Sequence, residues 1–69
     1  MNYYTLTDTF NGTSISQHRT VLAAVKAKYR HARRVERRNG RGSYVPYRIS
    51  ATSGEPIADE ITAAEHQLH

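Results

Sequence analysis

This chain of 69 residues contains no cysteine and no apolar run close to the length of a membrane span. Without cysteine, neither a disulfide nor a thiolate metal site can add to the stability of the fold. The opening residues, MNYYTLTDTF, also lack the basic and apolar regions of a secretion signal, so we expect a soluble, cytoplasmic protein. A chain this short has room for one small core, which excludes a catalytic cleft walled by a second domain.

Both ends of the chain lack the basic residues Lys and Arg. All ten Lys and Arg residues lie between Arg19 and Arg48, whereas residues 52–69 carry four acidic residues and no basic one. The interval from Lys26 to Arg48 holds nine of the basic side chains and a single acidic one, Glu36. A charge distribution segregated in this way favours an oriented electrostatic partner of negative charge.

The first segment, YYTLTDTFNGTSISQ, is rich in β-branched and aromatic residues and is interrupted by Asn11-Gly12. Asn-Gly is the favoured pair for a two-residue type I′ turn, which predicts a β-hairpin with Phe10 opposite Thr13 and Leu6 opposite Gln17. In this register one apolar face carries Tyr4, Leu6, Phe10 and Ile15. Asp8 falls on the same face, where a backbone cap or an edge position is the ordinary explanation for a carboxylate.

Helical spacing begins after Thr20, a predicted N-cap, and continues to Asn39-Gly40, where a left-handed stop is expected. The predicted buried arc of this helix consists of Val21, Leu22, Val25, Tyr29 and Ala32, with Val35 at its edge. The alternation in SYVPYRISA then predicts a third strand whose apolar face carries Val45, Tyr47, Ile49 and Ala51. Pro46 cannot donate to a ladder, so this strand is expected at a sheet edge.

Together these elements predict an α+β fold of the ββαβ type, in which one long helix covers a three-stranded sheet of order 2-1-3. The third strand is expected to run parallel to the second. Residues 1–54 form the predicted single domain, and residues 55–69 form an acidic C-terminal segment. That segment is either a frayed tail or a short helix capped by Asp59, with Ile61, Ala64 and Leu68 on one side.

Basic residues recur at helical spacing along the long helix, on the side opposite its predicted apolar arc. Lys26, Arg30, Arg33 and Arg37 align over about 16 Å of helix axis, and Arg34 widens the row. We call these five residues the basic stripe. The following loop adds Arg41, and Arg48 and Tyr44 are predicted to project from the strand face away from the core. The ring of Tyr44 is a candidate stacking platform for bases. The predicted binding residues are therefore Lys26, Arg30, Arg33, Arg34, Arg37, Arg41, Tyr44 and Arg48.

The alternative interpretation of the basic stripe is a solvated helix face, because Lys and Arg are good helix formers and good solubilisers. An ordinary solvated face intersperses Glu among the basic residues, however, and Glu36 is the single acidic residue between Arg19 and Arg48. Like charges at i,i+4 spacing repel one another without such relief. We therefore favour a binding surface, either for nucleic acid or for an acidic patch on a protein.

Motifs that encode chemistry or base-specific readout are missing from the sequence. It contains no helix-turn-helix spacing, zinc ligand set, Gly-x-x-Gly clamp, phosphate-binding glycine loop or nucleophile elbow. His66 and His69 are three residues apart beside Glu65, but a structural metal site needs a closed set of ligands. We expect no enzymatic activity, no cofactor and no metal, and the sequence leaves the oligomeric state open.

With the hairpin TLTDTFNGTSI, the helix TVLAAVKAKYRHARRV and the strand SYVPYRIS in place, the chain resembles small bacteriophage-encoded proteins that disable or redirect host machinery. Inhibitors of host RNA polymerase and anti-CRISPR proteins belong to that group. The resemblance is one of size and element order over residues 3–51, so it transfers no functional residue. It implies a non-enzymatic inhibitor or regulator that docks its basic helix and loop onto a host nucleic-acid-handling complex.

Many proteins of that group are acidic mimics of nucleic acid, and the basic helix departs from their pattern. The departure favours capture of an acidic surface, or contact with a nucleoprotein, over mimicry. The alternative function is direct, weakly sequence-specific binding of DNA or RNA by the same basic residues.

Overall fold

The structure, a computed structural model, describes residues 3–40, 42 and 45–68. The elements are β1 (Tyr4–Asp8), β2 (Thr13–His18), α1 (Val21–Asn39), β3 (Tyr47–Ala51) and α2 (Ala58–Leu68). The central strand β1 pairs antiparallel with both β2 and β3, which gives the strand order β2-β1-β3. The predicted α+β fold and its strand order are therefore confirmed, and β2 and β3 run parallel because both oppose β1. Of the two alternatives for the C-terminal segment, the structure has the short helix.

Helix α1 begins and ends where its local sequence predicts. The Thr20 hydroxyl accepts a hydrogen bond from the Ala23 N–H at 3.1 Å, which satisfies one of the unpaired donors of the first turn. Gly40 has a φ of 92°, a conformation that glycine adopts without steric cost, and its N–H donates to the Glu36 carbonyl at 2.8 Å. Both predicted helix ends are confirmed.

The hydrophobic core lies between the sheet and the two helices. Leu6 of β1 and Ala24 and Val25 of α1 are fully buried, with 0% exposure. The predicted arc included Val25 but not Ala24, because small alanine side chains also occupy the solvated faces of helices. The buried residues of the described chain are Leu6, Ala24, Val25, Ile49, Ala51, Ile57 and Ala64, and Tyr4, Ile15, Val21, Leu22, Ala27, Tyr29, Tyr47, Ile61 and Leu68 pack around them.

The β1–β2 hairpin differs from the predicted two-residue turn. Asp8 pairs with Thr13 and Leu6 with Ser16, so the loop consists of four residues, 9–12. The Asp8 carboxylate accepts hydrogen bonds from the Phe10 N–H at 2.9 Å and from the Asn11 N–H at 3.4 Å. This side-chain cap, one of the two ordinary roles expected for Asp8, begins the turn at residue 8 and replaces the type I′ geometry.

Because the turn differs, the prediction that Phe10 lies on the apolar face of the sheet is wrong. A type I′ turn needs positive φ at both central residues, and only Gly12 of the Asn-Gly pair has it, at 68°. Phe10 therefore lies in the loop, 83% exposed, and not on the apolar face of the sheet. The register also shifts between Leu6 and Thr7, which leaves Ile15 as an extra residue that still packs against the core.

Strand β3 is shorter than predicted and lies at an edge of the sheet, as Pro46 indicated. It begins at Tyr47, so Val45 and Pro46 precede it. The Pro46 carbonyl accepts hydrogen bonds from the N–H and the hydroxyl of Thr9, at 2.9 and 3.0 Å, and this ties β3 to the hairpin loop. Ile49 and Ala51 face the core as the alternation predicted.

Helix α2 packs against α1, with Ala64 buried and Ile61 and Leu68 in contact with the core. These are the three residues predicted for its apolar side. The predicted cap is wrong, because Asp59 lies inside the first turn and the Ile57 carbonyl accepts the Ile61 N–H at 2.9 Å. The acidic residues of that turn instead complement the positive end of the helix dipole.

Replacing Leu6 with alanine tests the location of the core. Leu6→Ala should lower the free energy of unfolding by about 2–5 kcal/mol, which is most of the stability of a domain this small. Phe10→Ala, in the same hairpin, should change it by less than about 0.5 kcal/mol because Phe10 is exposed. Urea unfolding followed by circular dichroism measures both. A larger loss of unfolding free energy for Phe10→Ala than for Leu6→Ala would contradict the exposed position of Phe10 and favour the predicted two-residue turn.

Candidate functional site

The basic stripe lies on the solvent side of α1. Lys26, Arg30, Arg33, Arg34 and Arg37 are all exposed. Their orientation follows from the helical period, since the fully buried Ala24 and Val25 hold the opposite side of α1 against the sheet. The cations consequently project from the outermost layer of the domain, along about 16 Å of the helix axis.

Four arginines of the stripe line the same surface depression. Arg30, Arg33, Arg34 and Arg37 together line a shallow depression of about 270 Å³. Within the part of the chain that the structure describes, no carboxylate forms an ion pair with any residue of the stripe. Guanidinium groups present fixed donors that match carboxylate and phosphate oxygens in pairs, so this depression is suited to an oxyanion-rich partner.

The acidic C-terminal segment does not cover the basic stripe. Its helix α2 lies beside the stripe, and the Glu65 carboxylate pairs with the Lys28 ammonium at 3.4 Å. Lys28 belongs to the side of α1 that faces α2, where its side chain is 22% exposed. This ion pair joins the two helices and leaves the stripe accessible.

An open cleft borders the stripe on the side of α2. Tyr29 and Ala32 of α1 and Leu68 of α2 form its walls, and we call it the interhelix cleft. It comprises two adjoining depressions, of about 210 Å³ beside Lys26 and Arg30 and about 250 Å³ toward the C-terminal end of α1. Sequence reasoning assigned its three wall residues to the packed sides of two separate helices, and so missed the cleft.

Of the remaining predicted binding residues, the structure describes Arg48, which does not join the stripe. Arg48 alternates along β3 with the inward-facing Tyr47 and Ile49, so it projects from the face of the sheet opposite α1. The sheet therefore separates Arg48 from the stripe, although the sequence placed both in one surface. Arg41 and Tyr44 lie outside the described residues, as does His69.

His31 and His18 make polar contacts within the domain. The His31 Nδ1 lies 2.6 Å from the Tyr47 hydroxyl, with the two rings edge to face at 5.5 Å. His18 Nε2 lies 2.7 Å from the Ser16 hydroxyl on the neighbouring strand position of the same face. Burial raises the pKa of Tyr47 above its ordinary value of 10.0, and the nearby Asp8 carboxylate raises it further. The His31–Tyr47 contact ties α1 to the sheet, whereas the His18–Ser16 contact lies within β2.

Comparisons with protein-family models, with curated proteins and with solved structures found no match to this chain. Among the described residues, no cluster of three or more His, Asp or Glu side chains is arranged to hold a metal ion. Neither α1 nor α2, within those residues, combines the length and apolarity of a membrane-crossing helix. The fold and the surface thus define a small α+β domain that displays a basic helix.

Replacing Tyr47 with phenylalanine tests the His31–Tyr47 contact and its pH dependence. Folding raises the pKa of Tyr47 above 10.0, the value for the unfolded chain. The neutral Tyr47 side chain therefore contributes fully to the free energy of unfolding below about pH 10, and this contribution is lost as the pH rises through the pKa of Tyr47 in the folded protein. At neutral pH, Tyr47→Phe should lower the free energy of unfolding by about 0.5–1.5 kcal/mol through loss of the hydrogen bond to His31. Between neutral pH and about pH 11 this difference should shrink.

Urea unfolding of both proteins across that range measures the difference, and the other titrating groups cancel because both proteins contain them. A difference that stays constant with pH would contradict the assignment of Tyr47 as the perturbed group.

Proposed function

We propose that this protein is a non-enzymatic binding protein that docks the basic stripe of α1 onto an acidic surface of a nucleic-acid-handling protein complex. The observation that carries the proposal is the stripe itself: five exposed cations in one row, unpaired with any described carboxylate, beside an open apolar cleft. Protein interfaces combine an apolar centre with a charged rim, and here the two features are adjacent. Complementary charge would orient the partner and accelerate its association.

The resemblance to small phage-encoded inhibitors and regulators suggests which partner the protein binds and in which compartment. In that setting the partner is a host complex such as a CRISPR effector or RNA polymerase, in the bacterial cytoplasm. Docking would act sterically, because the proposal assigns no chemical step to the protein. Arg48 is not part of the proposed surface, since the sheet separates it from α1.

Direct binding of DNA or RNA is the second candidate function, and a separate observation favours it. The described residues that line the depression between Arg30 and Arg37 are four arginines, a composition suited to a phosphate backbone. Such binding would be weakly sequence-specific. Each duplex phosphate neutralised would contribute about −0.9 to the slope of log K against log salt.

Reversing two central charges of the stripe tests the proposed surface. Arg30→Glu/Arg33→Glu should abolish capture of the partner from bacterial lysate, because it replaces attraction by repulsion at the centre of the row. The free energy of unfolding should change by less than about 0.5 kcal/mol, since both side chains are exposed. The matched control is Arg19→Glu/Arg48→Glu, which makes the same change in net charge at exposed positions outside the stripe and should retain capture.

Nuclease treatment of the lysate separates the two candidate functions. A discrete protein complex that survives nuclease and is lost with Arg30→Glu/Arg33→Glu would support docking onto protein. Heterogeneous nucleic acid that disappears with nuclease would support the second candidate. Equal loss of capture in the control variant would show that net charge, and not the stripe, determines binding.

Salt dependence gives an independent measurement for the second candidate. Binding of a labelled DNA duplex, followed by fluorescence anisotropy at several salt concentrations, should be steep if the five cations of the stripe all contact phosphates, with a slope of about −4 to −5. A single charge-neutralising variant, Arg37→Gln, should reduce that slope by about one. A slope near zero would contradict direct binding to the phosphate backbone.

A further inference from the structure

We propose that the occupant of the surface is an acidic protein segment that inserts one large apolar side chain into the interhelix cleft. This inference rests on the proposed function and names the chemistry of the partner. The carboxylates of the segment would pair with Lys26, Arg30 and Arg33, which border the cleft. The apolar side chain would lie between α1 and α2, against Ala32 and Leu68.

The shape and lining of the cleft support an aliphatic anchor. Its two adjoining depressions, of about 210 and 250 Å³, share Tyr29, Arg33 and Leu68, and they open to solvent. Leu68 and Ala32 are only half-buried, so a further apolar group placed against them would remove apolar surface from water. The cleft is therefore a gap in the packing between the helices that a side chain of a partner can complete.

The charges around the cleft select an acidic segment. Three cations of the stripe border its first depression, whereas Glu36 is the one acidic residue that borders the second among the residues that the structure describes. The other nearby carboxylate, Glu65, is already paired with Lys28. A segment with carboxylates on one side of its apolar anchor would thus meet opposite charge along most of the rim.

The same geometry disfavours a nucleobase as the occupant. Bases bind to proteins by stacking on exposed aromatic faces, and Tyr29 is the aromatic residue of this cleft. The Lys28 ammonium, however, lies 5.0 Å from the centre of the Tyr29 ring, so one ring face is already in contact with a cation. The cleft is also lined by the aliphatic groups of Ala32 and Leu68, which suit a leucine-like side chain.

Two synthetic peptides that differ at one position test the inference. Both are short, rich in glutamate and fluorescently labelled, and the central residue is leucine in one and serine in the other. The protein should bind the leucine peptide at least about tenfold more tightly, because only that side chain can fill the cleft. The charge variant Arg30→Glu/Arg33→Glu should lose binding of both peptides.

A substitution that fills the cleft distinguishes the contribution of the apolar side chain to peptide binding from that of the charges. Ala32→Leu places aliphatic atoms in the cleft without changing charge, and it should reduce the preference for the leucine peptide to less than about twofold while the serine peptide still binds. Ala63→Leu, the same substitution at an exposed position of α2, is the matched control and should keep the preference. Leu68→Ala, which removes a wall of the cleft, should also reduce it, and thermal unfolding shows whether each variant is folded.

The outcomes distinguish this inference from the proposed function. Equal affinity for the two peptides, with both lost in Arg30→Glu/Arg33→Glu, would overturn the anchor and leave the charged surface standing. Binding of a DNA duplex but of neither peptide would overturn both in favour of nucleic acid. A preference for the leucine peptide that survives Ala32→Leu and Leu68→Ala in folded proteins would place the anchor elsewhere and would also overturn the inference.

Discussion

Close packing of Ala24 and Val25 of α1 against Leu6 of the central strand determines how α1 is rotated about its axis. A helix has one rotation at which these residues face the sheet, and the period of about 100° per residue then fixes the direction of every other side chain. The basic stripe is exposed because it lies opposite this contact. The side of α1 between the two, which includes Tyr29, is left for α2. The surface and the cleft both depend on this one contact.

The parts of the fold that local interactions determine could be predicted from the sequence. The ends of α1 depend on a threonine hydroxyl and a glycine φ, and both act within a few residues of the helix terminus. The exposure of the stripe follows from helical periodicity alone. The hairpin could not be predicted in the same way, because two local preferences compete there. The Asp8 carboxylate caps the turn and overrides the preference of Asn-Gly for a type I′ turn, and Phe10 leaves the predicted core.

The parts of the site that tertiary packing determines could be predicted only incompletely. The prediction that Arg48 points away from the core is confirmed. In a two-layer domain, however, the exposed face of the sheet and the exposed side of α1 are opposite surfaces, so Arg48 and the basic stripe cannot form one binding surface. The interhelix cleft has no sequence signal, since it exists only where Leu68 of α2 meets Tyr29 and Ala32 of α1. The apolar side of α2 is too narrow to reveal from periodicity where the helix docks.

The segregation of charge along the sequence has different consequences at its two ends. On α2 the acidic residues have structural uses, because Asp59 and Glu60 lie in the first turn and Glu65 binds Lys28. None of them neutralises the stripe, so its cations repel one another in the free protein and weaken α1. A partner that supplies carboxylates or phosphates removes this repulsion when it binds. The electrostatic interaction that disfavours the isolated helix is therefore the one that favours the complex, and salt weakens both effects.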